Sequence, residues 1–126
     1  MTTRVVLVED SDVYRATLEL LLPREGGIEV VGSFATGVEA VDAVAALRPD
    51  VVVVDLRLPG MDGTATTAAL RRDQPGAAVV CLTAEATEDE RNAVLEAGAA
   101  SVVDKGQAVR ELADALRDAC RPRDRS

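Results

Sequence analysis

Five short aliphatic runs alternate with five longer stretches of helical period along this chain. The apolar runs at residues 4–8, 28–32, 51–54, 78–82 and 101–103 are rich in valine and predict strands. The stretches at 11–22, 38–47, 63–72, 87–97 and 107–120 predict helices. Pro23 and the pair Gly26-Gly27 end the first helix, and Pro49 stops the second. Asp62 is a predicted N-cap for the third. Thr87 caps the fourth, Glu90 three residues on completes a capping box, and Gly98 follows its end. The last helix carries the stripe Val109, Leu112, Ala113, Leu116 and Cys120, a spacing that holds one face. Four successive valines at 51–54 are apolar in both directions, as a central strand covered on both sides requires. Strict strand–helix alternation predicts an α/β fold with a parallel sheet and right-handed crossovers.

Composition narrows the picture. The 126 residues suit one domain, assigned to 1–120, while the polar, proline-broken 121–126 reads as a tail or the start of a linker. A chain with 48% hydrophobic and 29% charged residues is expected to be soluble and globular rather than disordered. No apolar run nears the ~20 residues of a membrane span, and no secretory leader opens the chain, so a cytoplasmic location is expected. A net charge of −8 repels phosphate backbones and argues against nucleic-acid binding by this domain alone. The absence of histidine excludes His-based triads, general bases and zinc motifs. Cys81 and Cys120 have no metal-ligand spacing and read as small hydrophobes. Tyr14 and Phe34, the only aromatic residues, read as core.

In open parallel sheets, ligands bind beyond the carboxyl ends of the strands. The polar residues there are Glu9 and Asp10 after the first strand, Asp55 after the third, Thr83 after the fourth, and Asp104 and Lys105 after the fifth. With strand order 2-1-3-4-5 these groups converge on one edge. Crowded carboxylates repel one another, and a hard divalent cation such as Mg²⁺ relieves that repulsion. The Thr83 hydroxyl and the Lys105 ammonium suit an anion, and Lys105 is the chain's single lysine. Together they describe a site holding Mg²⁺ against a phosphoryl group, with Asp55 as the nucleophile. Taken singly, the members have plainer readings. Glu9 or Asp10 could cap a helix, Thr83 could form a hydroxyl turn, and the run Glu88-Asp89-Glu90 suits a helix N-terminus. Asp104 reads as a solvated loop residue outside the site.

With these motifs the chain resembles the receiver domains of bacterial two-component response regulators. The resemblance spans about residues 4–120. It rests on Val6-Leu7-Val8-Glu9-Asp10, on the run from Val54-Asp55-Leu56 through Arg57-Leu58-Pro59-Gly60 to Met61-Asp62-Gly63, on Leu82-Thr83-Ala84, and on Gly98-Ala99 followed by Lys105. The loop after the third strand looks most like receivers that precede a LuxR-type helix-turn-helix domain. The resemblance implies a three-layer (βα)₅, flavodoxin-like receiver fold. It implies that Asp55 accepts a phosphoryl group from a phosphohistidine on a sensor histidine kinase. It also implies Mg²⁺ ligation by Asp10, Asp55 and the backbone carbonyl of Arg57, with Glu9 acting through water, and phosphoryl contacts from Thr83 and Lys105. Such a domain is a signalling phosphoacceptor that catalyses only its own phosphorylation and dephosphorylation, with transcription as an output of the longer protein.

Two departures from the family pattern stand out. Val102 occupies the position of the usual aromatic switch residue, and Gly106 follows the lysine in place of proline. Switching is therefore expected through the loop after the fourth strand and the fourth helix. It would alter partner binding or homodimerisation on the face of helix four, strand five and helix five, where Val94, Val102, Val109 and Leu112 are expected to pack. Arg57 and Glu85 are expected to form an exposed ion pair that modulates phosphoryl lifetime. Among rival readings, a haloacid-dehalogenase-type phosphatase would need an acid where Arg57 stands. A flavin binder would need a hydroxyl-rich phosphate loop in place of Glu9-Asp10-Ser11-Asp12. A degenerate receiver, acting only as an interaction module, is the remaining alternative.

Overall fold

The structure, a computed structural model, describes residues 2–120; the expected tail at 121–126 lies outside the described residues. The strands are β1 (Thr3–Val8), β2 (Ile28–Phe34), β3 (Val51–Asp55), β4 (Ala78–Thr83) and β5 (Ser101–Asp104). The helices are α1 (Asp12–Leu21), α2 (Gly37–Leu47), α3 (Gly63–Asp73), α4 (Glu88–Glu96) and α5 (Val109–Cys120). All strands pair in parallel in the order β2-β1-β3-β4-β5, as the sequence pattern predicts.

The alternating valines of β3 divide the core. Val51 and Val53 face a cluster with Leu18 of α1 and Leu112 and Leu116 of α5. Val52 and Val54 face the other side, with Val44 of α2, Leu70 of α3 and Val94 of α4. Period-2 side chains on a strand buried on both faces produce this two-layer packing.

The caps form where side-chain chemistry calls for them. The Asp62 carboxylate accepts from the Ala65 N–H at 2.8 Å. Thr87 and Glu90 complete the capping box, and Gly98 takes a φ of +119° past the end of α4. Two boundaries differ from the sequence reading by more than one residue. β2 runs on to Phe34, because a bulge opposite the Val5/Val6 step lets Gly32, Ser33 and Phe34 pair with Val6, Leu7 and Val8. α5 begins at Val109 rather than 107, because Gln107 is taken up in the preceding turn, where its side-chain oxygen accepts from the Asp104 N–H.

The face of α4, β5 and α5 also needs correction. Val94 and Leu112 are fully buried in the two cores and are not available for packing against a partner. Val102 is half-buried against the α2–α4 cluster, and Val109 is half-buried against the other. The exposed large apolar residue of α4 is Leu95.

Candidate functional site

β1, β3, β4 and β5 are consecutive neighbours, so their carboxyl ends form one edge. Backbone bonds carry the ladders slightly beyond the strands and fix the candidate residues there. The Glu9 N–H donates to the Phe34 carbonyl, Leu56 to Leu82, and Lys105 to Thr83 at 2.8 Å.

Glu9 is buried although charged. Its Oε2 accepts from the Ser11 N–H at 2.9 Å, and its Oε1 lies 2.6 Å from Lys105 Nζ. That second contact is one of charge, since no hydrogen bond is directed at Oε1. Asp55, the last residue of β3, is also buried. Its Oδ1 accepts from the Arg57 N–H at 3.2 Å, and its Oδ2 from Lys105 Nζ at 3.3 Å. Asp10 is exposed beside them. Carboxylate oxygens of Glu9, Asp10 and Asp55 lie within 4.8 Å of one another.

Burial pushes the Glu9 pKa up and the nearby Asp55 adds to the rise, against the opposing pull of Lys105 and the Ser11 N–H. For Lys105, burial works to lower the pKa, but the close contacts and charges of Glu9 and Asp55 outweigh it and hold the ammonium above its ordinary value. The donor set is all hard oxygen, which fits a hard divalent cation.

Thr83 is fully buried at the end of β4. Its hydroxyl donates to the Glu85 carbonyl at 2.8 Å and accepts from the Glu85 N–H at 3.1 Å. The residue therefore sits at the site edge and forms the hydroxyl turn as well. Asp104 stays out of the cluster, and its carboxylate accepts from the Gly106 N–H at 2.7 Å. Burial, with Asp55 adding, pushes the Cys81 thiol up to about 12, so the thiol is inert beside the site.

The expected pairing of the Arg57 and Glu85 side chains is corrected. Arg57 forms a bidentate pair with Glu90 of α4, with Nη2 to Oε1 at 2.9 Å, and reaches only the backbone carbonyl of Glu85, at 3.3 Å. Glu90 Oε1 also accepts from the Thr87 N–H at 2.9 Å. The helix turn thus brings Glu90 to Arg57, while the Glu85 carbonyl closes the loop. Sequence reading missed this role, although an acid at the third position of α4 facing the loop after β3 was a usable signal. It also missed Tyr14, whose ring lies under the Lys105 ammonium at 4.7 Å from its centroid.

A parallel sheet with helices on both faces and its polar groups gathered at the carboxyl edge defines an α/β domain whose candidate site lies at a topological switch point. Residues 5–117 match the family model described as the response regulator receiver domain, and the chain belongs to that family. Over 121 residues it is 34% identical to the response regulator protein VraR of Staphylococcus aureus, a match covering 96% of this chain and 58% of that protein. The chain therefore spans little more than half the length of such curated relatives. The signal receiver domain of the putative response regulator NarL from Mycobacterium tuberculosis superposes with a TM-score of 0.91 at 30% identity, covering 97% and 98% of the two chains. A LuxR-family two-component response regulator from Aurantimonas sp. SI85-9A1 superposes with a TM-score of 0.88 at 31% identity, covering 94% of this chain and 84% of that one.

Proposed function

We propose that Asp55 is the phosphoacceptor of this receiver domain, taking its phosphoryl group from the phosphohistidine of a sensor histidine kinase. The observation that carries this reading is the Lys105 ammonium lying on both buried carboxylates, Glu9 and Asp55, inside a three-carboxylate cluster. In the transfer, the phosphorus–nitrogen bond of the donor breaks as a phosphorus–oxygen bond to the Asp55 carboxylate forms, giving an acyl phosphate. A carboxylate acceptor needs no general base, which agrees with a chain lacking histidine. Catalysis reduces to positioning and charge neutralisation.

Asp10, Asp55 and the Arg57 carbonyl would hold Mg²⁺, with Glu9 acting through water. Bound there, Mg²⁺ would neutralise charge between the carboxylates and the phosphoryl oxygens. Lys105 supplies the second positive charge and pairs with a phosphoryl oxygen. Thr83 donates its hydroxyl hydrogen to another, and in doing so gives up the Glu85 carbonyl. That exchange frees the loop after β4 and shifts populations of the α4–β5–α5 face toward dimerisation or partner binding. The domain's catalysis extends only to its own phosphorylation and dephosphorylation. In the longer protein the output would be transcriptional, in the cytoplasm, with DNA contacts made outside this acidic domain. Among the described residues no helix is long and apolar enough to cross a membrane.

The test is phosphoryl uptake from acetyl phosphate, followed by intact mass. The wild-type protein should gain one phosphoryl group only when Mg²⁺ is present, and Asp55→Asn should gain none. Asp10→Asn should need roughly tenfold or more Mg²⁺ for the same rate, because it loses a carboxylate beside the cation. Equal uptake by Asp55→Asn would falsify the assignment.

A further inference from the structure

We propose that Tyr14 is a positioning residue for Lys105, its ring face holding the ammonium against Glu9 and Asp55. The inference rests on the phosphoacceptor reading of Asp55. An ammonium has three N–H donors. Two sides of the Lys105 ammonium are taken by Glu9 Oε1 at 2.6 Å and Asp55 Oδ2 at 3.3 Å. The Tyr14 ring, 4.7 Å from Nζ, takes a further side, which water would otherwise solvate. A ring face attracts a cation through its quadrupole, and more strongly where water is excluded; the Lys105 side chain is only 20% exposed.

The contacts also close on themselves. Ser11 donates its N–H to Glu9 Oε2, and its hydroxyl accepts from the Tyr14 N–H at 3.3 Å. The Tyr14 ring meets Lys105, and Lys105 returns to Glu9 Oε1. The first turn of α1 is thereby tied at both ends to the acid and the base of the site. Burial holds the Tyr14 phenol above its ordinary pKa, so the ring meets Lys105 as a neutral π-system. A free ammonium on a four-carbon stem samples many rotamers. The ring confines it where the phosphoryl oxygens must arrive.

The chain's single lysine and single tyrosine make the test direct. In protein labelled with ¹³C-lysine, the ε protons of Lys105 should be shifted upfield by the ring current. The shift should persist in Tyr14→Phe and vanish in Tyr14→Leu. With saturating Mg²⁺ and acetyl phosphate, Tyr14→Phe should phosphorylate within about twofold of wild type, and Tyr14→Leu roughly threefold to thirtyfold more slowly. In a Lys105→Met background, Tyr14→Leu should slow the reaction no further, whereas a merely structural role would act in either background. Should Tyr14→Leu fail to fold, Tyr14→Met supplies the ring-free comparison. Wild-type uptake without an upfield lysine shift overturns the inference, as does Tyr14→Phe behaving like Tyr14→Leu. Failure of the wild-type protein to take up phosphoryl, with the lysine shift intact, strikes the phosphoacceptor reading itself. It leaves Tyr14 no transfer to serve.

Discussion

Arg57 acts through three groups at once. Its N–H holds Asp55, its guanidinium grips Glu90, and the same guanidinium reaches the Glu85 carbonyl. The hydrogen bonds of Arg57 lower the Glu90 pKa, and the Thr87 N–H adds to the effect. A carboxylate lowered in the native state stabilises the fold above its unfolded pKa, and that contribution is lost as pH falls through the native value. Arg57→Ala should therefore be less stable than wild type near neutrality, and the gap in denaturant midpoint should close in acid. A gap that widens in acid would contradict the pair. In the phosphorylated protein, Arg57→Ala and Glu90→Gln should change the acyl-phosphate lifetime in the same direction. The double variant should match the single ones rather than their product, and strictly additive logarithms would rule out coupling. Glu85→Ala should have a smaller effect, because Glu85 contributes its backbone. The sequence named Arg57 but chose the wrong acid. Proximity in sequence to Thr83 favoured Glu85, whereas the α4 turn delivers Glu90.

At the scale of the element, the site depends on where α3 begins. Gly63, its first residue, sits so close to β3 that an added Cβ would stand 2.4 Å from the Asp55 carbonyl oxygen and 2.6 Å from Leu56 Cα. Backbone atoms cannot swing aside as a flexible side chain can. Gly63→Ala should cost about 1–3 kcal/mol of stability in denaturant unfolding. It should also slow phosphoryl uptake by displacing the end of β3, and unchanged stability would contradict the close approach. The Asp62 cap and the Thr87–Glu90 box were legible in sequence because they are local, set by a side chain and the N–H three residues on. The β2 bulge and the late start of α5 were not. The first depends on pairing with β1, and the second on Gln107 being drawn back to Asp104, and neither leaves a periodic trace.

For the whole molecule, strand order and the two-sided core follow from alternation and the valine run, and both were legible. The polar edge was legible too, since the topology alone brings Glu9, Asp55, Thr83 and Lys105 together. Which side chains remain free on the α4–β5–α5 face was not, because depth in the core is a three-dimensional property. Val94 and Leu112 belong to the interior, while Leu95 is exposed. If the site drives that face, beryllofluoride with Mg²⁺ should raise amide exchange across residues 84–90, where Thr83 releases Glu85. It should also increase the mass seen by light scattering, or the affinity for a partner on that face. Unchanged exchange there would argue for an interaction module that does not switch.

The proposed phosphoryl transfer turns on one carboxylate, that of Asp55. Phosphorylated protein treated with borohydride is reduced at an acyl phosphate, turning the modified aspartate into homoserine, which peptide mass mapping locates. Homoserine is expected at residue 55 and at no other acid of the cluster. Homoserine at Asp10, or a stable phosphoryl group elsewhere in the chain with Asp55 unaltered, would contradict it.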